Sequence, residues 1–225
     1  MKKLLILTLL SALFLSAESI AVSPATFKSI KIKATKNISI QTALVEKIAD
    51  ADPKAIKKVN AALKTMSTEF EREVKRCSIS ADGHPWGYEL AVEKIIRSRE
   101  YLSVVFSKFT VCAGSPSIAK EARVFSLISG NLIQPKNLFK ILFPKAELAN
   151  GAFTNNNLIQ LNEEMAETLI KDSKAILNIY DKECEFYLKT TSYRIWVEDR
   201  NVIFFPEFLQ PISSCQKEYL IRMPD

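Results

Sequence analysis

Hydrophobic and polar residues follow two clear patterns in the first third of the chain. Between residues 26 and 47, apolar side chains alternate with polar and basic ones, which is typical of one or two half-buried β-strands. Apolar residues then recur at steps of three and four from Ile56 to Val74, which indicates a helix. Asp52 is a suitable N-cap and Pro53 suits the first helical position. We therefore expect an amphipathic helix of about 22 residues that packs on a sheet.

Three strand-like runs follow this helix, at residues 86–92, 101–112 and 122–128. The run at 101–112 is apolar on both faces, which is typical of a central strand. Short polar turns separate the runs, so we expect an antiparallel meander that covers the helix.

The second half of the chain continues with helix and strand patterns. We expect a short helix at 135–143, a polar link at 149–157, and an amphipathic helix carrying Leu158, Leu161, Met165 and Leu169. Short strands are expected at 184–188, 193–197, 202–205 and 219–223, with a helical turn starting at Pro206. The order of strands, helix, strands, helix, strands predicts an α+β fold and not a parallel βαβ fold.

The first residues have the layout of a secretory signal peptide. Lys2 and Lys3 precede an apolar run of about 12 residues, which is followed by small residues at a cleavage site. Because a membrane-spanning helix needs about 20 apolar residues, we expect a signal at 1–21 that is removed, and no stable membrane anchor afterwards. Cleavage after Ala17 and cleavage after Ala21 both fit. The predicted location is the periplasm or the cell exterior.

Composition and charge narrow the range of partners. Hydrophobic residues make up 48% of the chain, which is enough for a core. The formal net charge is +6, and cleavage after Ala17 removes Lys2 and Lys3 and so leaves +4. This mild excess favours contact with an anionic wall polymer or an acidic protein. Nucleic acid is not expected, because the positive charges are interspersed with acidic residues.

All four cysteines lie in the predicted mature chain: Cys77, Cys112, Cys184 and Cys215. An even number of cysteines in an exported chain indicates disulfides, with three connectivities open. Cys77 ends a helical stretch and Cys112 ends a strand, whereas Cys184 and Cys215 begin and end the C-terminal strands. These neighbourhoods favour Cys77–Cys112 and Cys184–Cys215. A zinc site is disfavoured because no two of the cysteines are close in sequence, and no redox-active CxxC motif occurs.

Four stretches carry a family resemblance: Phe70–Val74; Tyr101–Phe106; Phe125–Gly130 with Asn137–Phe139; and Val202–Phe205 with Pro211–Ser214 and Leu220–Pro224. In this order they resemble the RsiV-like extracytoplasmic domain family, domain of unknown function 3298 with its associated N-terminal deacetylase-linked domain. Family members often carry a Gly-Gly-Ala-His-Pro turn. The matching stretch here is Cys112–Ser117, with Ser115 in place of the histidine.

The resemblance implies an α+β fold in which antiparallel sheets are each packed by an amphipathic helix, in two related halves. We place an N-terminal half at 22–150 and a C-terminal half at 151–225, or a single compact domain formed by both. The resemblance also implies a binding role, with a lysozyme-like wall hydrolase or peptidoglycan as the partner.

No arrangement typical of an active site stands out in the sequence. His84 is the only histidine and lies between Gly83 and Pro85 in a predicted loop, which does not favour a nucleophile–histidine pair. Two groups of carboxylates fit solvated helix faces better than a glycan-cleaving pair. They are Glu69, Glu71 and Glu73, and Glu163, Glu164 and Glu167. We predict no enzyme activity, no cofactor and no metal site.

Aromatic and arginine side chains are the best candidates for a binding surface. Trp86 follows the Gly-His-Pro turn, Arg194 and Trp196 lie in one predicted strand, and Phe208 follows the next strand. The family layout that the chain resembles implies that the turn with Ser115 and Pro116 and the segment around Phe208 project from the ends of the sheet. The alternative for the aromatic residues is packing in the core.

The sequence thus predicts an exported, non-catalytic binding domain that recognises a cell-wall component or a wall-hydrolase-like protein. Two other functions stay open. One is an immunity or inhibitor protein against a secreted toxin, and the other, less favoured, is a cell-wall hydrolase. The sequence does not fix the ligand, the oligomeric state or the disulfide connectivity.

Overall fold

The structure, a computed structural model, describes residues 25–112, 114–149, 157–178, 182–208 and 214–223. The predicted signal peptide at 1–21 and its two cleavage sites lie outside the described residues, as does most of the predicted link at 149–157. The described part has an α+β fold with two sheets, which confirms the predicted fold class.

The first sheet has six strands in the order β1-β2-β3-β4-β5-β6. They are β1 (Thr26–Thr35), β2 (Ile38–Lys47), β3 (Gly87–Ser98), β4 (Tyr101–Cys112), β5 (Ser115–Ser126) and β6 (Leu132–Ile133). Strands β3 to β6 form the predicted antiparallel meander, with β4 inside it. One pair differs from the prediction of antiparallel sheets, because Ile38–Ile40 of β2 run parallel to Tyr88–Leu90 of β3. The intervening helix carries the chain back to the same end of the sheet, which is the geometry that a parallel pair requires.

That helix is α1 (Pro53–Ser80). It begins as predicted, because the Asp52 carboxylate accepts a hydrogen bond of 2.8 Å from the backbone N–H of Lys54. The predicted apolar stripe, including Val59, Leu63 and Phe70, is buried against the sheet. The helix has 28 residues, more than expected, because its buried face continues past the stripe to Cys77.

The second sheet has four strands in the order β10-β9-β8-β7. They are β7 (Ile159–Gln160), β8 (Ser192–Glu198), β9 (Asn201–Glu207) and β10 (Tyr219–Arg222). Three further helices belong to this region: α2 (Pro135–Leu142), α3 (Glu163–Leu177) and α4 (Cys184–Thr190). Helix α3 packs against β10. No helix in the described ranges is both long enough and apolar enough to cross a membrane.

Three sequence predictions in this half are wrong. Residues 184–190 form helix α4 and not a strand, and its two buried residues, Cys184 and Leu188, are one helical turn apart. Leu158 and Leu161 precede helix α3, because the Asn162 side chain caps it by accepting a hydrogen bond of 2.9 Å from the N–H of Met165. Pro206 starts no helical turn, since it continues strand β9.

The two predicted disulfides are confirmed. Cys77–Cys112 joins α1 to the end of β4, with a Cα–Cα distance of 5.0 Å. Cys184–Cys215 joins α4 to the segment before β10, with a Cα–Cα distance of 5.4 Å. The first bridge therefore fixes α1 to the sheet on which it packs, and the second fixes α4 to the segment that leads into β10.

The two sheets pack against each other and share a hydrophobic core. Val105 and Val124 of the first sheet belong to the same buried cluster as Ile195 of the second. At this interface the Ser103 hydroxyl donates to the carbonyl of Val197 at 2.8 Å and accepts from its N–H at 3.1 Å. The division of the chain into halves at 150 and 151 stays a prediction.

Candidate binding surface

The first sheet ends in a hairpin whose outer strand is exposed along its whole length. Strands β1 and β2 pair antiparallel from Thr26 opposite Lys47 to Thr35 opposite Ile38. All ten residues of β1 are exposed, whereas β2 buries several residues. The prediction of half-buried strands is therefore right for β2 and wrong for β1, because helix α1 packs against β2.

Apolar and basic side chains lie next to each other on β1. Phe27, Ile30 and Ile32 are exposed to 42%, 38% and 37% of their surface. The pairing register places Lys28 and Ile30 on one face of the hairpin, and Phe27 and Lys31 on the other. Both faces of the outer strand thus carry an apolar and a cationic side chain.

The hairpin is strongly basic. Residues 26–47 contain five lysines and one glutamate. That glutamate, Glu46, forms an ion pair with Lys28. Within the described residues, no carboxylate forms an ion pair with Lys31 or Lys33. This edge of the molecule therefore has unbalanced positive charge next to exposed apolar surface.

Strand β2 diverges from β3 after Ile40 and is held to helix α1 instead. The side-chain amide of Asn60 donates to the carbonyl of Val45 at 2.8 Å, and its oxygen accepts from the N–H of Val45 at 2.9 Å. Beside this contact lies an open, mainly apolar cavity of about 640 Å³, lined by residues that include Leu44, Ile48 and Ile56. The end of the hairpin that contains Lys47 therefore borders a groove.

A second feature is a cluster of charged side chains buried beneath helix α1. The Glu121 carboxylate is 3% exposed and lies close to three cations. Its oxygens are 2.9 Å from Lys108 Nζ, 3.1 Å from Arg123 Nη1 and 2.9 Å from Arg194 Nη1. Arg194 also donates from Nε to Glu207 at 2.8 Å. The cluster joins strands β4, β5, β8 and β9, so it ties the two sheets together.

The cluster keeps Glu121 ionised. Burial alone would raise the pKa of its carboxyl, but the attraction of Arg194, Lys108 and Arg123 outweighs burial and lowers the pKa to about 2. For Lys108, burial would lower the pKa, and the nearby Glu121 and Glu73 carboxylates raise it instead. A carboxylate held in this way is a poor general acid at neutral pH, because it carries no proton to donate.

A second ionic network links the sheets closer to the surface. Glu218 accepts from Lys94 Nζ at 2.8 Å and from Lys120 Nζ at 2.6 Å. Lys120 also lies 5.6 Å from the centre of the Phe205 ring, within cation–π range. Since Glu218 directly precedes β10 while Lys94 and Lys120 lie on β3 and β5, this network fixes the C-terminal strand to the first sheet.

The structure does not bring the predicted site residues together. Trp196 is fully buried and Arg194 is 4% exposed, so the expectation that they form a surface is wrong. Both faces of β8 are covered, because the strand packs between the first sheet and its own helix layer. Trp86 is half-buried against the core under α1, and Phe208 is half-buried against the other core cluster.

The turn expected at Ser115 and Pro116 is shorter than predicted. Both residues already belong to β5, where they pair with Cys112 and Val111. Gly114 takes a left-handed conformation with φ of 83°, which a tight connection between two antiparallel strands requires. His84 lies in the turn after α1, and no group of three or more metal-binding side chains occurs in the part of the chain that the structure describes.

Sequence reasoning missed both features that stand out in the structure. The positions of the lysines in β1 were a usable signal, because Lys28 shares a face with Ile30 and Lys31 shares a face with Phe27, so neither face is wholly apolar. The cluster at Glu121 gave no such signal. Among the described elements, three helices and two short strands separate Glu121 from Arg194 in sequence, and only the packing of the two sheets brings them together.

No family model matches this chain, and no curated protein matches it. Among solved structures, the chain is similar to a crystal structure of a DUF3298 family member from Bacteroides fragilis. The two share 11% sequence identity with a TM-score of 0.47, and the match covers 90% of this chain and 91% of that one. DUF3298 is the family that the sequence motifs resemble. A likeness to RsiV itself stays a prediction, and at this identity no residue role is carried across.

Proposed function

We propose that this protein is an exported, non-catalytic binding domain of the cell envelope that holds its partner on the β1–β2 hairpin. The observation that carries the proposal is strand β1, whose ten residues are all exposed and combine three large apolar side chains with lysines. Exposed apolar surface beside unbalanced charge is typical of an interaction site, since an exposed edge strand such as β1 otherwise promotes aggregation.

Export is supported by the predicted signal peptide and by the two disulfides. Disulfides persist in oxidising compartments such as the periplasm and the cell exterior. The most deeply buried carboxylate among the described residues, Glu121, serves as a structural ion, because three neighbouring cations hold its pKa low.

The charge of the hairpin favours an anionic partner. With five lysines against one glutamate, residues 26–47 attract carboxylate-bearing molecules and repel cationic ones. Peptidoglycan or an acidic wall-associated protein therefore fits better than a strongly cationic hydrolase of the lysozyme type. An immunity or inhibitor role against a secreted toxin is the second candidate, and an acidic toxin would meet the same hairpin.

The test compares two triple variants of the purified mature protein with both disulfides intact. The hairpin variant replaces Phe27, Ile30 and Ile32 by threonine. The matched control replaces Ile79, Ile128 and Phe186, which are 69%, 71% and 71% exposed and lie elsewhere, by threonine. Retention on insoluble peptidoglycan and on immobilised wall hydrolases is then measured.

We expect the wild type and the control variant to be retained and the hairpin variant to be lost. Equal retention of the two variants would contradict the proposal. Failure of all three proteins to bind either material would contradict binding to peptidoglycan and to wall hydrolases, and would leave an acidic protein, either wall-associated or a toxin, as the candidate.

A further inference from the structure

We infer that the outer edge of β1 accepts an acidic, extended segment of a partner protein as an added strand of the first sheet. This inference rests on the proposed function and specifies its partner and its binding mode. Within the described residues β1 pairs with β2 alone, so its other edge presents backbone N–H and C=O groups to an incoming chain. Peptides bind to such edges by main-chain hydrogen bonds, and side-chain pairing adds selectivity.

The length of β1 suits this mode. The strand has ten residues, and its register with β2 is continuous from Phe27 to Lys31 before a bulge between Lys31 and Lys33. Five residues in regular register give an added strand a run of ladder hydrogen bonds about as long as a typical strand in a globular protein. The bulge then limits the regular part of the edge to this segment.

The lysines select the kind of strand that can pair. An added strand along Phe27–Lys31 lies beside β1 with its side chains next to Lys28 on one face and Lys31 on the other. Lys28 is paired with Glu46, so Lys31 carries the unbalanced charge of this segment. Directly opposed like charges destabilise a strand pair, whereas opposite charges stabilise it. Acidic residues in the partner segment therefore match these positions, and apolar residues between them match Phe27 and Ile30.

The same lysines disfavour a second copy of this chain as the occupant. Pairing of two β1 strands would bring two lysine-rich edges together, and lysines on edge strands are a known protection against self-association. A protective role alone would not need three large apolar side chains exposed to between 37% and 42% on the same strand. The combination disfavours basic strands and favours acidic ones as partners.

The first experiment uses a synthetic peptide of about nine residues in which pairs of glutamates and pairs of valines follow one another, a length that spans the exposed strand and a pattern that places both residue types on each face. Its two controls are the same peptide with every peptide nitrogen methylated, and the same pattern with lysine in place of glutamate. Methylation keeps charge and apolar character but removes the hydrogen-bond donors from both edges of the peptide. Binding to the mature protein is measured by fluorescence anisotropy, and amide hydrogen exchange is measured across β1.

We expect the glutamate–valine peptide to bind at least roughly tenfold more tightly than either control, because the methylated peptide lacks the backbone donors and the lysine–valine peptide places like charge beside the lysines of β1. Alternate amides of β1 should become protected. The double variant Lys31→Glu and Lys33→Glu, on the exposed strand, should reverse the preference towards the lysine–valine peptide.

Equal binding of the methylated peptide, or unchanged exchange of the β1 amides, would overturn strand addition. Absence of binding by the glutamate–valine peptide would overturn it as well. The proposed function fails on a different result, which is that the hairpin variant remains bound to its envelope partner. If the protein binds peptidoglycan through the hairpin and hydrogen exchange of the β1 amides is unchanged, the side chains alone bind the wall polymer and the inference is wrong.

Discussion

Substitution of Glu121 by glutamine should destabilise the protein far more than any surface charge substitution. Glu121 is surrounded by Lys108, Arg123 and Arg194, each with a nitrogen within 3.1 Å of a carboxylate oxygen. Glutamine has nearly the same shape but no charge, so three buried cations would lose their shared counter-ion. Removal of one partner from a buried ion cluster costs about 3 to 5 kcal/mol. We expect a loss in this range for Glu121→Gln.

The assay is equilibrium unfolding in urea at neutral pH, followed by tryptophan fluorescence with both disulfides intact. Glu69→Gln is the matched control, because Glu69 lies 4.0 Å from Arg123 and its side chain is 51% exposed. That exposed ion pair should contribute less than about 1 kcal/mol. If Glu121→Gln costs no more than Glu69→Gln, the buried cluster does not hold the sheets together as described.

The pH dependence gives an independent check on the same residue. Its pKa in the folded protein is about 2, below the ordinary value of 4.5, so the unfolded chain takes up the proton first as the pH falls. The stabilisation by Glu121 is therefore complete above about pH 4.5 and is lost between there and pH 2. The free energy of unfolding should fall less steeply over this range in Glu121→Gln than in the wild type. Parallel pH profiles would refute the assignment.

Two further predictions concern the backbone and the disulfides. Gly130→Ala should lower the free energy of unfolding in urea by about 3 kcal/mol or more, because the residue has φ of 72° and an added Cβ atom would lie 2.7 Å from Ala55 Cα. The control is Gly83→Ala, where φ is 82° and the added Cβ atom meets open space, and it should cost about 1 kcal/mol. Equal costs would show that the backbone at Ala55 moves to relieve the contact. Replacement of Cys184 and Cys215 by serine removes a bridge between two residues that are 31 positions apart, and should lower the free energy of unfolding by about 3 to 4 kcal/mol. An unchanged urea midpoint would contradict a stabilising bridge.

Sequence patterns predicted the elements that bury one regular face. Helix α1 was found because its stripe from Val59 to Val74 and its cap at Asp52 are local signals. Helix α4 was predicted to be a strand, because in seven residues the buried pair Cys184 and Leu188 fits helical and extended spacing equally well. The parallel pairing of β2 with β3 depends on how α1 returns the chain, which no local pattern records.

The candidate site was harder to predict than the fold. Trp196 and Arg194 have the residue types of a binding surface, but their strand is covered on both sides, and the second cover comes from the distant first sheet. Conversely, β1 has the alternation of a half-buried strand and yet lies at the edge beyond the reach of α1. Burial of a strand face is a tertiary property, so period alone could not distinguish these two cases.

The central claim is that the β1–β2 hairpin holds the partner. The most direct test measures how much of each protein is retained on insoluble peptidoglycan and on immobilised wall hydrolases. The three proteins are the wild type, the hairpin variant with threonine at Phe27, Ile30 and Ile32, and the control variant. Far-UV circular dichroism verifies that all three are folded. We expect only the hairpin variant to lose retention, and added salt to weaken binding of the other two proteins. Retention of the hairpin variant at the wild-type level would contradict the claim.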